Sequence, residues 1–575
     1  MLNPSMSIQG AIRHANRGTE SAEEPSDGDM PRERPMSLAQ GVAPLTIVDY
    51  VVIGGGSAGC VVTQRLVKAG KSVLMLEAGP PDNHPFIHVP ATFVRIIGSR
   101  RSFMYRTEPE PGVDGRILAV PQGRTLGGGS SINAMIYIRG QAQDYDAWRE
   151  LGCTGWSYSD VLPVFRRSEG NQRLAGELHG GDGPLKVTDL RYTHPLSHAF
   201  LRAAQEAGYP YNHDFNGVSQ EGVGFYQATI SNGRRGSTAV TYLKSVRHSP
   251  LLTVRTGCEA TRIIIEGGVA RGVVYRTDAG ATHEVRVNGE VILTAGAVAS
   301  PKLLLLSGIG SAVELARHGI PLVKDLPGVG ENFQDHISAP VYGVTDQPIS
   351  LLGEDKGLRA VRNGLQYLFS RSGLLTSNVV ESGGFIDTSG EGRPDVQIHV
   401  TPALVGDAER KPMGKHGITI NPCVLRPTSR GKVSLRSSSP SDTVVLAANN
   451  LTTEKDVATL VRGIKACRRI LRSESLRALG VTELLPGGGD EVSDEVLARH
   501  GRAVAKTVYH PSGTCKMGTD PMAVVDTQLR VVGVPGLRVA DASIMPTLVS
   551  GNTNAPTVMI AERCADFILS GSPGV

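Results

Sequence analysis

The feature that most constrains the fold is a short apolar run that leads directly into a glycine-rich turn. Residues 47–53 are mostly apolar and β-branched, which predicts a buried parallel strand. The turn GGGSAG follows at residues 54–59, a helical pattern covers residues 60–69, and a second strand at residues 72–76 ends on Glu77. This order of strand, glycine turn, helix, strand and acid predicts one βαβ unit of a dinucleotide-binding fold.

The turn has a physical reason for each of its spaced glycines. Gly54 permits the tight bend, Gly56 lets a pyrophosphate approach the backbone, and Gly59 lets the helix pack closely on the strand. The N-terminus of the helix offers free N–H groups and a positive dipole end to the phosphates. Glu77 lies 18 residues after Gly59, where its carboxylate can accept hydrogen bonds from both ribose hydroxyls of an adenosine.

That unit alone leaves the choice between NAD and FAD open, so the rest of the chain has to decide it. A second glycine-rich loop, GRTLGGGSSIN at residues 123–133, suits an extended cofactor that runs past backbone amides, although a plain surface turn has similar composition. An apolar strand at residues 290–294 runs into a helix that ends near residue 307. Residues 536–541 predict a strand that closes on Asp541, an acid of the type that meets the ribityl or phosphate part of a flavin.

The chain divides into four predicted segments. Residues 1–45 combine prolines with mixed charges and predict a disordered tail, and residues 46–346 predict most of the cofactor domain. Residues 347–502 carry alternating stretches and a helical pattern at 454–472, which predict an antiparallel sheet with helices on the substrate side. Residues 503–575 return to complete the cofactor domain. The expected fold is α/β, or α+β overall, with a discontinuous Rossmann-like domain and an antiparallel-sheet substrate domain.

Composition excludes several classes of protein. A net charge of +4 over 575 residues argues against dedicated nucleic-acid binding. The seven cysteines form no CxxC pair, so we predict no disulfide framework, no metal site and a reducing, cytoplasmic compartment. No window reaches the roughly 18 apolar residues that cross a bilayer.

Four spaced motifs resemble the glucose–methanol–choline (GMC) family of FAD oxidoreductases over nearly the whole chain after residue 47. They are VIGGGSAGC at 52–60, GRTLGGGSSINAMIYIRG at 123–140, GAVASPKLLLLSGIG at 296–310, and HPSGTCKMG at 510–518 followed by the segment at 539–561. Segments 214–227 and 374–385 are similar to the branch of bacterial alkane-degradation alcohol dehydrogenases and choline dehydrogenases. Gly236 and residues 102–105 lack the large residue expected there, which leaves the choice of substrate open.

The resemblance implies oxidation of a primary, aliphatic alcohol to the aldehyde by hydride transfer to N5 of the flavin. His510 is the expected base, because neutral imidazole can accept the hydroxyl proton near physiological pH. Asn552 is expected to donate its amide to the same oxygen. His336 is expected to be structural or to lie near the flavin edge.

The motifs also imply which residues contact FAD and how it is held. Some members attach FAD through a histidine after the double serine; Ile132 occupies that position here and has no nucleophilic atom, so non-covalent FAD is predicted. The residues expected to bind FAD are Gly54, Gly56, Ser57, Ala58, Gly59, Glu77, Arg124, Leu126, Gly127, Gly128, Ser130, Asn133, Ala134, Met135, Ala260, Asp541, Ala542, Thr553, Asn554 and Ala555.

Alternatives remain open at this point. Choline dehydrogenase and alcohol oxidase are the nearest alternatives; a lyase on the same scaffold and a non-enzymatic flavin protein are more distant. The resemblance favours a quinone-type electron acceptor, and with it a peripheral association with the inner membrane, but no amphipathic anchor stands out in the sequence. The sequence leaves the oligomeric state undetermined.

Overall fold

The cofactor side of the molecule is built on a five-stranded sheet whose strands are all parallel. The computed structural model describes residues 46–406, 413–489 and 491–571, so the predicted tail at 1–45 lies outside the described residues. The strand order across the sheet is Leu252–Thr256, Val73–Glu77, Tyr50–Ile53, Val291–Leu293 and Leu537–Val539. The last strand comes from the C-terminal segment, which makes this domain discontinuous.

The first predicted strand is divided in two by Asp49. Residues Tyr50–Ile53 enter the parallel sheet, whereas Thr46–Val48 pairs with Thr282–Val287 in a separate four-stranded sheet. Both the amide and the hydroxyl of Ser72 donate hydrogen bonds to one carboxylate oxygen of Asp49, at 2.8 and 2.9 Å. This polar contact ends the first strand and aligns the second. The sequence predicts a single strand over residues 47–53, so the break is a difference from that prediction.

Helices cover the parallel sheet. Ser57–Lys68 begins three residues earlier than its predicted start and packs on Asn554–Leu569, and Arg65 forms ion pairs with Glu562 and Asp566 across that contact. The other long helices near this sheet are Gly296–Leu306 and Tyr158–Ser168. The four-stranded sheet next to it is completed by Cys258–Glu266 and Val269–Thr277.

The substrate-side sheet is antiparallel and takes strands from a wide range of the sequence. Along its main path the strands are Thr482–Leu485, Val341–Thr345, His416–Val424, Val396–Thr401, Ser382–Ile386 and Gly222–Phe225, with Ile337–Ser338 and Lys506–Thr507 attached. Several of these strands lie outside the predicted segment 347–502. Val396, Ile398 and Val400 pack in the apolar cluster that includes the helix Glu454–Leu471, so the alternate residues face the other way.

The remaining elements connect these layers. The helices are Pro85–His88, Ala142–Glu150, Pro195–Glu206, Thr238–Thr241, Ala312–Arg317, Gly357–Ser370, Glu474–Arg477 and Asp494–Val504. The short strand pairs are Ser102–Arg106 with Ala119–Gly123, Glu169–Asn171 with Leu185–Val187, Ile230–Ser231 with Arg234–Arg235, Ile309–Gly310 with Lys324–Asp325, and Lys432–Ser434 with Val445–Ala447. Within the described ranges, no helix is both long enough and apolar enough to cross a membrane. All seven cysteines are buried thiols.

A buried ionic cluster joins the strand Glu169–Asn171 to the loop that precedes Gly222–Phe225. The two ring nitrogens of His179 lie 3.0 Å from a carboxylate oxygen of Glu169 and 3.0 Å from one of Asp214. Arg139 also pairs with Glu169. Burial alone would lower the pKa of His179, but hydrogen bonds to Asp214 and Glu169 outweigh it and raise that pKa to about 9. His179 is therefore an imidazolium at neutral pH.

We predict that His179→Gln destabilises the protein by roughly 2 kcal/mol at neutral pH. Because the folded-state pKa lies above the unfolded value, the stabilising effect is fully present below about pH 6.5 and is lost as the pH rises through about 9. Thermal unfolding at a series of pH values should show the largest gap between wild type and variant near pH 6. His213→Gln, at an exposed neighbour, is the control. A gap that stays constant up to pH 10 would contradict the ionic role.

Candidate active site

Two glycine-rich loops meet at the carboxyl end of the parallel sheet. The amide of Gly127 donates a 2.7 Å hydrogen bond to the carbonyl oxygen of Gly55. Gly54 has φ +100°, and a Cβ on Gly59 would lie 1.9 Å from the carbonyl oxygen of Gly54. Only glycine therefore fits at these two positions of the turn, one for the bend and the other for close packing.

The space beside this contact is a cavity of about 340 Å³. A Cβ on Gly128 would lie 2.7 Å from the Cα of Gly56, whereas a Cβ on Gly56 would meet no atom closer than 3.9 Å. The backbone of Gly56 is therefore accessible from the cavity, whereas Gly128 packs against its other side. Among the residues predicted to bind a cofactor, those that line the cavity are Gly54, Gly56, Glu77, Arg124, Gly128 and Ala260.

Glu77 is fixed at the end of its strand with its carboxylate already oriented. One oxygen accepts a 2.8 Å hydrogen bond from the amide of Gly55, and the other accepts one of the same length from the amide of Gly79. Burial raises the pKa of Glu77, and the two amides and Arg124 oppose that rise. Each carboxylate oxygen keeps a second lone pair, which suits a ribose diol.

Two helix N-termini converge next to the glycine turn. Ser57 and Asn554 are the first residues of their helices, and the hydroxyl of Ser57 donates a 3.0 Å hydrogen bond to Oδ1 of Asn554. Neither helix has a side-chain cap at its N-terminus. The unpaired amides and the dipoles of both helices favour a negatively charged or carbonyl-bearing ligand here. The structure thus brings the predicted residues Ser57, Ala58, Thr553, Asn554 and Ala555 together.

The second loop rests on a buried arginine that sequence reasoning overlooked. The guanidinium of Arg235 donates to the carbonyl oxygens of Ile87 and Ser130, at 2.8 and 3.1 Å, and to Oδ1 of Asn133 at 2.7 Å. Burial lowers the pKa of Arg235 to about 9. No carboxylate in the described ranges pairs with it, and its second terminal nitrogen is buried without a partner there. An anionic or polar ligand on this loop would offset that charge.

Asp541 is held by hydrogen bonds within the protein. One of its carboxylate oxygens accepts hydrogen bonds from the amide of Gly296 and the hydroxyl of Ser300, at 2.8 and 2.6 Å, and the other accepts from the amide of Ser543. These bonds cap the helix Gly296–Leu306. Asp541 is buried and is not among the residues that line the cavity. Its described role is therefore to hold the C-terminal segment on the sheet, and its contact with a flavin remains a prediction.

The two predicted catalytic side chains meet at the boundary between the two sheets. Nε2 of His510 and the amide nitrogen of Asn552 lie 3.3 Å apart. The amide of Gln397 donates to Oδ1 of Asn552 at 3.1 Å, which turns the amide nitrogen of Asn552 towards His510. Tyr509 has φ +67°, a strained conformation that aims the following residue into the site. A substrate oxygen placed beside this pair could reach both nitrogens.

His336 determines which nitrogen of His510 carries the proton. Nε2 of His336 lies 2.9 Å from the carbonyl oxygen of Leu425, which can only accept, so this nitrogen is protonated. Burial lowers the pKa of His336 to about 4, so its ring is neutral and its Nδ1 is an acceptor. Nδ1 of His510 lies 2.9 Å from that Nδ1 and must be the donor. Nε2 of His510 is therefore the unprotonated nitrogen, and it accepts the hydrogen bond from the amide of Asn552 at 3.3 Å.

The surroundings keep His510 neutral. Burial, together with the neighbouring imidazoles of His336 and His399, holds the pKa of His510 well below its usual range. Asp335 accepts a 2.8 Å hydrogen bond from the backbone amide of His510, and burial raises the pKa of Asp335 to about 7. At neutral pH the site thus presents an unprotonated imidazole that can accept a proton.

The arrangement as a whole fits FAD. The open backbone at Gly56, the oriented carboxylate of Glu77 and the two helix N-termini suit a dinucleotide, and the loop on Arg235 leads from them towards the catalytic pair. Ile132 packs in an apolar cluster with Ile87 and Ile96. The remaining predicted loop residues lie on this path: Leu126 and Gly127 at the contact of the two loops, and Ser130, Asn133, Ala134 and Met135 beyond it.

Comparisons with known proteins agree with this geometry. The GMC oxidoreductase family models match residues 48–338 and 427–561. The chain is 45% identical to mouse mitochondrial choline dehydrogenase, covering 92% of this chain and 90% of that protein. It is 44% identical to an alcohol dehydrogenase [acceptor] of Pseudomonas putida, covering 91% and 95%.

Solved structures are similar over the same extent. A pyridoxine 4-oxidase from Mesorbium loti matches with a TM-score of 0.81 at 31% identity, covering 90% of this chain and 98% of that chain. An FAD-dependent oxidoreductase from Chaetomium thermophilum matches with a TM-score of 0.83 at 27% identity, covering 91% and 99%.

We predict that Arg235→Met lowers the amount of bound FAD at least about twofold, because two buried carbonyls and the part-buried Oδ1 of Asn133 lose their donor, at about 1–3 kcal/mol for each buried acceptor. The ratio of visible flavin absorbance to protein absorbance after purification measures this. Arg234→Met is the matched control, since its side chain is exposed on the same short strand. Equal flavin content in wild type, Arg235→Met and Arg234→Met would contradict the role given to the buried guanidinium.

Proposed function

The chain belongs to the GMC oxidoreductase family, and we propose that it oxidises a primary aliphatic alcohol to the aldehyde. It is an FAD-dependent oxidoreductase that acts on an alcohol. When bound, FAD supplies the acceptor for the hydride that leaves the alcohol carbon. The observation that carries the proposal is the 3.3 Å approach of Asn552 to the unprotonated nitrogen of His510.

His510 acts as the base in this proposal. The substrate hydroxyl takes the place of the Asn552 amide at the unprotonated Nε2, which accepts the hydroxyl proton, while Nδ1–H of His510 stays bonded to His336. The resulting imidazolium is disfavoured by burial, so His510 releases the proton readily once the aldehyde has left. Because His336 and the carbonyl of Leu425 fix the ring orientation, the base is ready before substrate arrives.

Asn552 orients the substrate oxygen. Its amide donates to that oxygen and stabilises the negative charge that develops as the proton departs. Gln397 holds Asn552 in this orientation and is itself fully buried in the antiparallel sheet. The antiparallel sheet thus holds Asn552 in place, although Asn552 itself belongs to the C-terminal segment.

An aliphatic chain is the proposed substrate because the catalytic pair borders an apolar cluster. Its buried members are Ile136, Ile138, Phe215, Tyr226, Phe385 and Leu425. A Cβ on Gly551, next to Asn552, would press on Ile138 at 2.4 Å. Choline is the second candidate, since a relative at 45% identity is a choline dehydrogenase. An aromatic cage for its ammonium needs free ring faces, whereas Phe215, Tyr226 and Phe385 pack on one another.

FAD is proposed to be held without a covalent bond at residue 132. Ile132 is buried among apolar side chains and carries no nucleophile. Acid precipitation should release all the yellow colour into the supernatant, and colour left on the protein would overturn this.

The proposed acceptor of the electrons is a quinone-type molecule, and the proposed location is the cytoplasm with a reversible, peripheral contact to the inner membrane. The relative from Pseudomonas putida is named as a dehydrogenase with an acceptor, which supports transfer to a carrier. A quinone of the membrane is apolar, so the enzyme must approach the bilayer to use it.

We predict that His510→Ala keeps FAD bound but loses roughly two to four orders of magnitude in the rate of flavin reduction by alcohol, as expected for removal of a general base. Asn552→Ala should lose less, about 3 kcal/mol of transition-state stabilisation. Stopped-flow absorbance under anaerobic conditions measures both rates. An unchanged rate in His510→Ala would mean that another group takes the proton.

The pH dependence of the rate of flavin reduction distinguishes a positioning role of His336 from a general loss of structure. In wild type the rate should fall only at a pH well below 6.5, because burial and neighbouring imidazoles hold the pKa of His510 well below its usual range. His336→Ala opens space beside His510 and lessens its burial, which is the main cause of its low pKa, so the acidic fall should move to higher pH and the rate should also drop. A lower rate with an unmoved profile would leave His336 without influence on the base.

We predict that alcohol turnover is fast with phenazine or quinone dyes and slow with air alone. Dye bleaching and peroxide release, measured in parallel on the same sample, report the two routes. Stoichiometric hydrogen peroxide formed at a rate comparable to dye reduction would show an oxidase instead.

A further inference from the structure

One surface helix presents an apolar face that no described part of the protein covers. The helix Gly357–Ser370 contacts the body through its two buried residues, Asn363 and Tyr367. Its exposed side chains include five large apolar ones: Leu358, Val361, Leu365, Leu368 and Phe369. At 100° per residue these five fall within an arc of about 100° of the helix, opposite Tyr367.

The exposure of this face is extreme for apolar side chains. Leu358 is 88% and Phe369 is 83% exposed. Single exposed apolar residues are ordinary on protein surfaces, whereas a contiguous stripe of five on one helix marks a surface that binds something apolar. Val94, on the neighbouring short helix Pro90–Arg95, is also exposed.

Basic side chains flank the stripe and indicate the chemistry of its partner. Lys356, Arg359, Arg362 and Arg371 lie on or next to the helix, and residues 356–371 contain no acid. Glu354 pairs with Arg359 and Arg362 at 3.3 and 3.5 Å, and Asp355 pairs with Arg95. With four bases and two acids, residues 354–371 carry a net charge of +2. An apolar stripe with a basic rim matches the interface of an anionic bilayer.

The position of the helix connects this surface to the cofactor loop. The chain continues from the helix through Leu374–Thr376 to Asn378, whose amide donates a 3.0 Å hydrogen bond to the carbonyl oxygen of Ala134. Val379 packs in the same apolar cluster as Met135 and Phe93. A membrane bound at the helix would lie beside the loop that is predicted to line the flavin.

We propose that Gly357–Ser370 is an in-plane anchor that docks the protein on an anionic lipid membrane. The five apolar side chains insert at the boundary of the headgroups and acyl chains, and Lys356, Arg359 and Arg362 bind lipid phosphates. The idea rests on the proposed function in one respect: docking would bring an apolar, membrane-borne acceptor to the reduced cofactor. A second copy of this chain is the competing occupant of the face.

The test is co-sedimentation of the FAD-loaded, full-length protein with phosphatidylcholine vesicles that contain or lack phosphatidylglycerol. Wild type should bind the anionic vesicles, and the double variant Leu358→Asp with Phe369→Asp should bind at least about tenfold more weakly. Both side chains are exposed, so their replacement removes little packing. Lys356→Gln with Arg359→Gln should lessen the preference for phosphatidylglycerol.

The matched control adds the same charges elsewhere. Val218→Asp with Val313→Asp alters two other exposed apolar residues and should leave vesicle binding unchanged. Binding that persists in the helix variant, or that falls equally in the control, would overturn the proposal. So would a wild-type dimer, seen without vesicles by sedimentation, that the helix variant abolishes.

Alcohol oxidation with a dissolved dye separates this proposal from the proposed function. All these variants should keep wild-type activity in that assay, within about twofold, because the substituted residues are exposed and the helix carries none of the catalytic side chains. Absence of alcohol-dependent dye reduction in wild type would sink the proposed function. Intact dye reduction without vesicle binding would contradict only the proposal that the helix is a membrane anchor.

Discussion

One backbone carbonyl sets the donor and acceptor directions of the hydrogen bonds in the active site. The oxygen of Leu425 can only accept, and this fixes the proton on His336, then the proton on Nδ1 of His510, and finally the unprotonated Nε2 that faces Asn552. Gln397 approaches from the other side and fixes the amide of Asn552. The chemistry therefore depends on strands of the antiparallel sheet that carry no reacting atom. The same sheet packs its opposite face on helices, so the supporting groups are held rigidly.

The cofactor half relies on a different device, the contact of two glycine loops that are far apart in the sequence. Gly127 bonds to Gly55, and Gly128 lies against Gly56 so closely that no side chain fits. The buried guanidinium of Arg235 supports the second loop by a hydrogen bond to the carbonyl of Ser130, and no carboxylate in the described ranges balances its charge. An enzyme built this way holds its ligand mainly with backbone, while the few ionic side chains orient the loops.

Local patterns predicted much of this and missed what depends on long-range contacts. The βαβ unit follows from the spacing of its glycines and strands, since the physics of glycine turns and parallel strands is local. The FAD family and the pairing of His510 with Asn552 came from the resemblance of the motifs. The break at Asp49 was not predicted, because it depends on Ser72 across the sheet. The partner of His336 and the burial of Arg235 were missed for the same reason. Strands outside 347–502 joined the substrate sheet because antiparallel pairing ignores sequence distance.

The discontinuous parallel sheet also governs when a newly made chain can become an enzyme. Strand Val291–Leu293 is fully buried between Tyr50–Ile53 and Leu537–Val539 in the finished sheet. On the ribosome, its second partner emerges only after roughly 240 more residues, on the order of tens of seconds later at typical elongation rates. Until then one apolar edge stays unpaired and open to aggregation. Nascent chains should therefore need chaperone protection until synthesis is nearly complete, and truncated products lacking the C-terminal strand should be cleared by proteolysis.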